Sequence, residues 1–311
     1  MKTYVPSRMA LPLSTLAAAL LLTACGGGED NTEDTTISSE TAQSVSANGM
    51  VLSEDAANAN AVVLSTTQAV VAGGQASQAY ACAGGGSALF TVSGGSVGSV
   101  VNGQLDEGET YSLQFTDCRG AAGAASVNGT MTLAVTTASV DAVSVNTSTQ
   151  AIVVVLPRRT LTLNGSSTLA RTVVTNGATV VTTQRWTSAQ IALTSLRNAR
   201  SSSLSLSNVD ISRSATTTNG VLSGSSHTGT LTMALGGPNG SWTATLATQG
   251  IASYDANGVP LQGAWQMTLP HNRIGLQVGG GTATVTVDHG PDGTVDRSYT
   301  FSTSNLANEA V

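Results

Sequence analysis

Over most of its length this chain alternates apolar and polar residues one for one. Tyr111, Leu113 and Phe115 are interleaved with Ser112, Gln114 and Thr116, and Met131, Leu133 and Val135 with Thr130 and Thr132. The same rhythm returns at Leu231, Met233 and Leu235, at Trp242, Ala244 and Leu246, and at Ala283, Val285 and Val287. A period of two predicts strands with one face on a core and a threonine-rich face in water, the pattern of antiparallel sheets. Asn-Gly pairs at 48, 102, 128, 164, 176, 219, 239 and 257, with Asp292-Gly293, supply residues that accept the positive φ of hairpin turns. The pattern predicts an all-β fold: a long antiparallel meander of about 12–16 strands, forming curved or rolled sheets or a sandwich. No segment beyond the leader shows a capped helical period, and whether residues 61–311 make one β-rich domain or two, with a break near Asn198–Ser203, is open.

The first residues break this rhythm. Lys2 and Arg8 give a basic start, Met9–Leu22 is an apolar run, and Thr23 and Ala24 are small. Such a run has the layout of a secretory leader and is shorter than the roughly 20 residues a membrane span needs. Leu22-Thr23-Ala24-Cys25 resembles the lipobox of bacterial lipoproteins, with Gly26-Gly27-Gly28 directly behind it. The resemblance implies a signal peptide of residues 1–24, cleavage before Cys25, and lipid (palmitate among the acyl chains) on that cysteine. Several chains matter, since one acyl chain binds a bilayer only marginally. It also implies an outer-membrane destination, because Gly26 stands where an Asp would favour the inner membrane.

Charge is sorted along the chain. Between Cys25 and Asn60 lie seven acids (Glu29, Asp30, Glu33, Asp34, Glu40, Glu54, Asp55) and no base, among Ser, Thr, Asn, Gly and Ala. That composition predicts a flexible acidic tether over residues 25–60. Beyond it, arginines and acids nearly balance and no lysine occurs, which argues against a nucleic-acid partner and excludes mechanisms that need a lysine. Eleven aromatics in the whole chain are too few for the girdles of a membrane-spanning barrel. Cys82 and Cys118, an even pair in an exported chain, read as a disulfide closing a loop of about 36 residues; no Cys-x-x-Cys spacing supports a metal or redox role.

Candidate chemistry is sparse. Gly94-Gly95-Ser96-Val97-Gly98 has the letters of a nucleophile elbow but no helix behind it. His227, His271 and His289 lack ligand spacing. Asp288, Asp292 and Asp296 stand at steps of four, as in part of a calcium loop, yet Gly290 and Tyr299 occupy positions that need ligands. A hairpin at Asp292-Gly293, with Asp288 facing Arg297, explains them more simply, so no cofactor is assigned. Trp186, counted in phase with Gln184, Ser188 and Gln190, falls on a polar face and makes a speculative sugar-stacking platform with Gln184 and Gln190. Trp242 and Trp265 count as core.

Cys82-Ala83-Gly84-Gly85, Glu107-Gly108-Glu109-Thr110 through Phe115-Thr116-Asp117-Cys118, and Val285-Thr286-Val287-Asp288 through Asp292-Gly293-Thr294-Val295-Asp296 resemble segments of a group of β-rich proteobacterial lipoproteins. That resemblance implies a disulfide-closed hairpin and no known reaction. The expectation is a membrane-anchored envelope lipoprotein, periplasmic or surface-facing, acting as a structural or binding module. Its partners would be the bilayer through Cys25, and envelope proteins or glycans. The alternatives are an envelope hydrolase with a site assembled from distant residues, or a carbohydrate-binding module.

Overall fold

In the computed structural model, which describes residues 37–95, 102–236 and 241–310, the strands follow one another like a folded ribbon. They are β1 (Tyr80–Ala81), β2 (Ser87–Gly94), β3 (Glu109–Cys118), β4 (Ser126–Ala138) and β5 (Ala142–Val155). Then come β6 (Thr160–Asn176), β7 (Thr179–Arg197), β8 (Arg200–Thr218), β9 (Val221–Gly236) and β10 (Trp242–Thr248). The last five are β11 (Ala252–Tyr254), β12 (Pro260–Thr268), β13 (Asn272–Gly279), β14 (Thr282–His289) and β15 (Arg297–Ser302). All belong to one 15-stranded antiparallel sheet in sequence order, except that β11 pairs with β9 and β12 beside the direct β10–β12 pairing. Residues 197–200 form a tight turn between β7 and β8, so no domain break falls there. The meander of the sequence pattern is present, and the buried phase is the one it gave: Tyr111, Leu113, Phe115, Met131, Leu133, Val135, Val285 and Val287 all lie in the core.

The stretch expected to be a tether is instead, from Ser39 on, the centre of the fold. α1 (Ser39–Ala47), a π-helical turn (Asn48–Leu52) and α2 (Ser53–Gly73) make one continuous helix. The Ser38 hydroxyl caps its start, accepting the Thr41 amide at 3.1 Å, and the chain turns extended at Gly74. α2 packs on β4 through β8, the π turn on β12, and α1 on β13, β14 and α3 (Thr303–Glu309). Asn48-Gly49 is therefore part of a helix, not a turn. The part of the predicted tether before Ile37, the leader, Cys25, Ser96 and the Asn239-Gly240 pair lie outside the described residues.

From Val45 to Ala57 every residue of the helix is buried, so this central part has no water-facing side and shows no amphipathic period. Its polar residues are accommodated locally. Ser53 Oγ donates to Gly49 O at 2.6 Å, Asn60 Nδ2 to Ala56 O at 2.9 Å and Thr67 Oγ1 to Val63 O at 2.9 Å, so each is buried with its hydrogen bond made on its own helix.

Bulges let the sheet curl round this helix. Pairing shifts register between Asn128 and Thr130 of β4, Thr149 and Ile152 of β5, Gly165 and Thr168 of β6, and Ser207 and Asp210 of β8. Asn128-Gly129 and Asn164-Gly165, expected as hairpin turns, sit inside long strands at these bulges. Gly129 has φ +105°, and a Cβ there would lie 2.7 Å from the Ala151 carbonyl oxygen. True two-residue turns occur at Asn198-Ala199, Asn219-Gly220 and Gly280-Gly281, each with both residues at positive φ, and at Gly177-Ala178, where Gly177 alone is positive.

Cys82 and Cys118 form the expected disulfide, with Cα atoms 5.5 Å apart, joining the start of the sheet to the end of β3.

Candidate functional site

Ionisable side chains converge where α2 meets the sheet. Glu54, 2% exposed, accepts from Arg213 Nε at 2.8 Å and Ser225 Oγ at 2.6 Å, and lies 3.0 Å from His227 Nδ1. His227 Nε2 lies 3.2 Å from the Tyr254 hydroxyl, which donates to Met50 O at 2.9 Å. One residue on, Asp55 pairs with Arg159 Nε at 2.7 Å, and Arg159 reaches Ser195 Oγ at 3.3 Å. Farther along the helix Gln68 accepts from Arg171. Arg213 of β8, Arg171 of β6 and Arg159 just before β6 thus meet the helix, and two acids of the N-terminal stretch, Glu54 and Asp55, are matched by arginines inside the fold.

The two carboxyls differ. Burial alone would raise Glu54, but Arg213, His227 and Ser225 together bring it below the usual carboxylate range. Burial pushes Asp55 up to about 6 in spite of Arg159. Burial, with Glu54 nearby, also holds the Tyr254 hydroxyl well above its ordinary value. A Glu, a His, a Ser and a Tyr in contact resemble hydrolytic machinery, yet Ser225 bonds to Glu54 rather than to His227. Four cavities among the described residues are lined by none of Glu54, Ser225, His227 and Tyr254, although one of about 320 Å³ is lined by Gln68 and Arg171. What the cluster does in this geometry is hold the helix.

Trp186 is not a surface platform: it is 1% exposed and donates its indole N–H to Ser167 Oγ at 2.9 Å. Gln184 points inward as well, and only Gln190 is exposed. The cause is a bulge. Gln184, Trp186 and Ser188 face in, Ala189 and Gln190 both face out, and beyond them Ile191 and Leu193 face in, so counting alternate residues across the bulge inverts the face. Trp265 is core as expected, whereas Trp242 is half-buried.

The Asp288–Asp296 loop is a hairpin between β14 and β15, as the simpler reading has it, but Asp288 pairs with Arg273 of β13 and not with Arg297, which lies opposite Val287. Asp288 accepts the Asp292 and Gly293 amides at 3.2 and 3.1 Å, and Asp296 accepts that of His289 at 2.7 Å. The three aspartates thus organise the hairpin backbone. Among the described residues no three His, Cys, Asp or Glu side chains come together as a metal-binding group.

Water-facing positions of β2–β8 carry two adjoining clefts of about 340 and 820 Å³ that share Thr132 and Ser148. Their walls are Ser, Thr, Gln and Asn with a few apolar residues, and no charged side chain lines either. No described helix is long and apolar enough to cross a membrane. Compared with protein-family models, with curated proteins and with solved structures, the chain matches none of them.

Proposed function

We propose that this chain is a lipid-anchored protein of the bacterial outer membrane whose folded domain works as a structural or binding module. The observation that carries the reading is Leu22-Thr23-Ala24-Cys25 at the end of a basic-then-apolar leader. The fold supports the second half: its convergent ionisable groups are enclosed and tie a helix to a sheet, while its outward face offers hydroxyl- and amide-lined clefts.

The test is intact mass and membrane fractionation of the native protein beside a Cys25→Ala variant. A lipid-sized mass increment, with release of the variant into the soluble fraction, is the expected result. An unmodified and soluble native protein would overturn the anchor.

A further inference from the structure

A third outward cleft, of about 350 Å³, lies over β12–β14 and differs from the other two in chemistry. At its centre is Gly275, paired with Gln266 on one side and Thr286 on the other. With no side chain there, the Thr286 hydroxyl leans over the backbone, where a Cβ on residue 275 would lie 2.6 Å from it, and the outer layer of the sheet dips at this point. Arg273 and Gln277 flank it along β13, and the β14–β15 hairpin overhangs it through Gly293 and Val295, the latter 54% exposed. Thr286 Oγ1 donates to Gly275 O at 3.3 Å, which fixes that wall.

We propose that this cleft binds an uncharged saccharide, one or two sugar units long. The proposal rests on the binding-module reading and names the ligand class. A sugar hydroxyl both donates and accepts, so its site needs donors and acceptors side by side with no net charge. Here Arg273 only donates, Asp288 only accepts, and the Gln266 and Gln277 amides and Thr286 do both. The gap between Arg273 Nη1 and Asp288 Oδ2 is 3.8 Å, too long for a hydrogen bond. A hydroxyl seated between the pair would accept from the guanidinium and donate to the carboxylate. Asp288 is held for this by the Asp292 and Gly293 amides, so the loop that resembles a calcium site serves as the wall of a sugar site. The volume falls at the small end of ligand clefts, and Val295 with Ala264 gives the apolar face of a pyranose something to cover.

The experiment is saturation-transfer NMR on the full mature chain with maltose, cellobiose and N,N′-diacetylchitobiose, repeated on Arg273→Ala and Gln277→Ala. Gln277 is exposed, so the melting temperature of Gln277→Ala should hold and this variant reads the site apart from the loss of the Arg273–Asp288 pair in Arg273→Ala. Transfer to at least one disaccharide is expected, with affinity falling at least about tenfold in each variant. No transfer from any of the three would overturn the proposal, as would binding that both variants retain. Calcium raising the melting temperature while no sugar binds would also overturn it, and would return Asp288, Asp292 and Asp296 to a cation. None of these results bears on the mass of Cys25, so the anchor stands or falls separately.

Discussion

Glu54 and Asp55 are neighbours, both buried against arginines, and ionisation acts on them in opposite senses. Glu54 is held below its ordinary range, so its contribution to stability is present above that range and is lost as pH falls. Asp55 is raised to about 6, so its contribution is present in full near pH 4 and is lost as pH rises through about 6. Denaturant melts of Glu54→Gln and Asp55→Asn between pH 4 and 7 should therefore diverge. Relative to the native chain, the Gln variant loses ground as pH rises and the Asn variant gains, by on the order of 2–3 kcal/mol for the latter. Parallel curves would show that the two carboxyls are equivalent. At Trp186, truncation to Ala should cost about 3–5 kcal/mol as a core cavity, where an exposed platform would cost little.

Among the elements, the strands were legible and the helix was not, for one physical reason. A strand half-buried on one face advertises its environment every second residue, and Tyr111 to Phe115 and Ala283 to Val287 do so plainly. A helix whose middle is enclosed by its own sheet keeps no polar face there. Many of its buried positions carry Ala, Ser, Thr and Asn beside Val45, Met50, Val51 and Leu52, and with Glu54 and Asp55 these made Ser39–Asn60 look like solvated chain. The only trace in the sequence was Ser53-Glu54-Asp55-Ala56-Ala57 running into Val62-Val63-Leu64 without Pro or Gly. Bulges were invisible for a different reason, since Asn-Gly satisfies a positive φ in a turn or inside a strand alike. The residues around Trp186 and the ring around Gly275 were both misjudged or missed on that account: one hid behind a change of phase, the other depends on the register of three strands. Gly229, at φ +151° and with a Cβ there falling 2.1 Å from the Asp210 carbonyl oxygen, tests the bulges. Gly229→Val should cost about 2 kcal/mol or more and lower the denaturation midpoint, while the same change at Gly220, in a turn open to water, should cost mainly backbone strain.

For the molecule as a whole, the disulfide pins the sheet's first strands to the end of β3. The loop-closure account puts its worth at roughly 3–4 kcal/mol. Replacing both cysteines with Ala should lower the unfolding free energy by about that much while circular dichroism keeps its β signature at low temperature. Loss of the fold outright would show that the sheet cannot nucleate without it.

The placement of the helix sets an order of events. The chain is made from its N-terminus, so Glu54 emerges long before the groups that receive it: Arg213 lies 159 residues later, Ser225 171 and His227 173. Until β8 and β9 arrive the helix has no interior to enter, and the early strands have nothing to close upon. Folding must wait for nearly the whole sequence, a late-closing topology expected to be slow. The same arrangement makes the protein its own inspector. A chain cut short before β9 leaves the Glu54 carboxylate without Ser225 and His227 and the core side chains of the helix in water, both of which mark it for proteolysis.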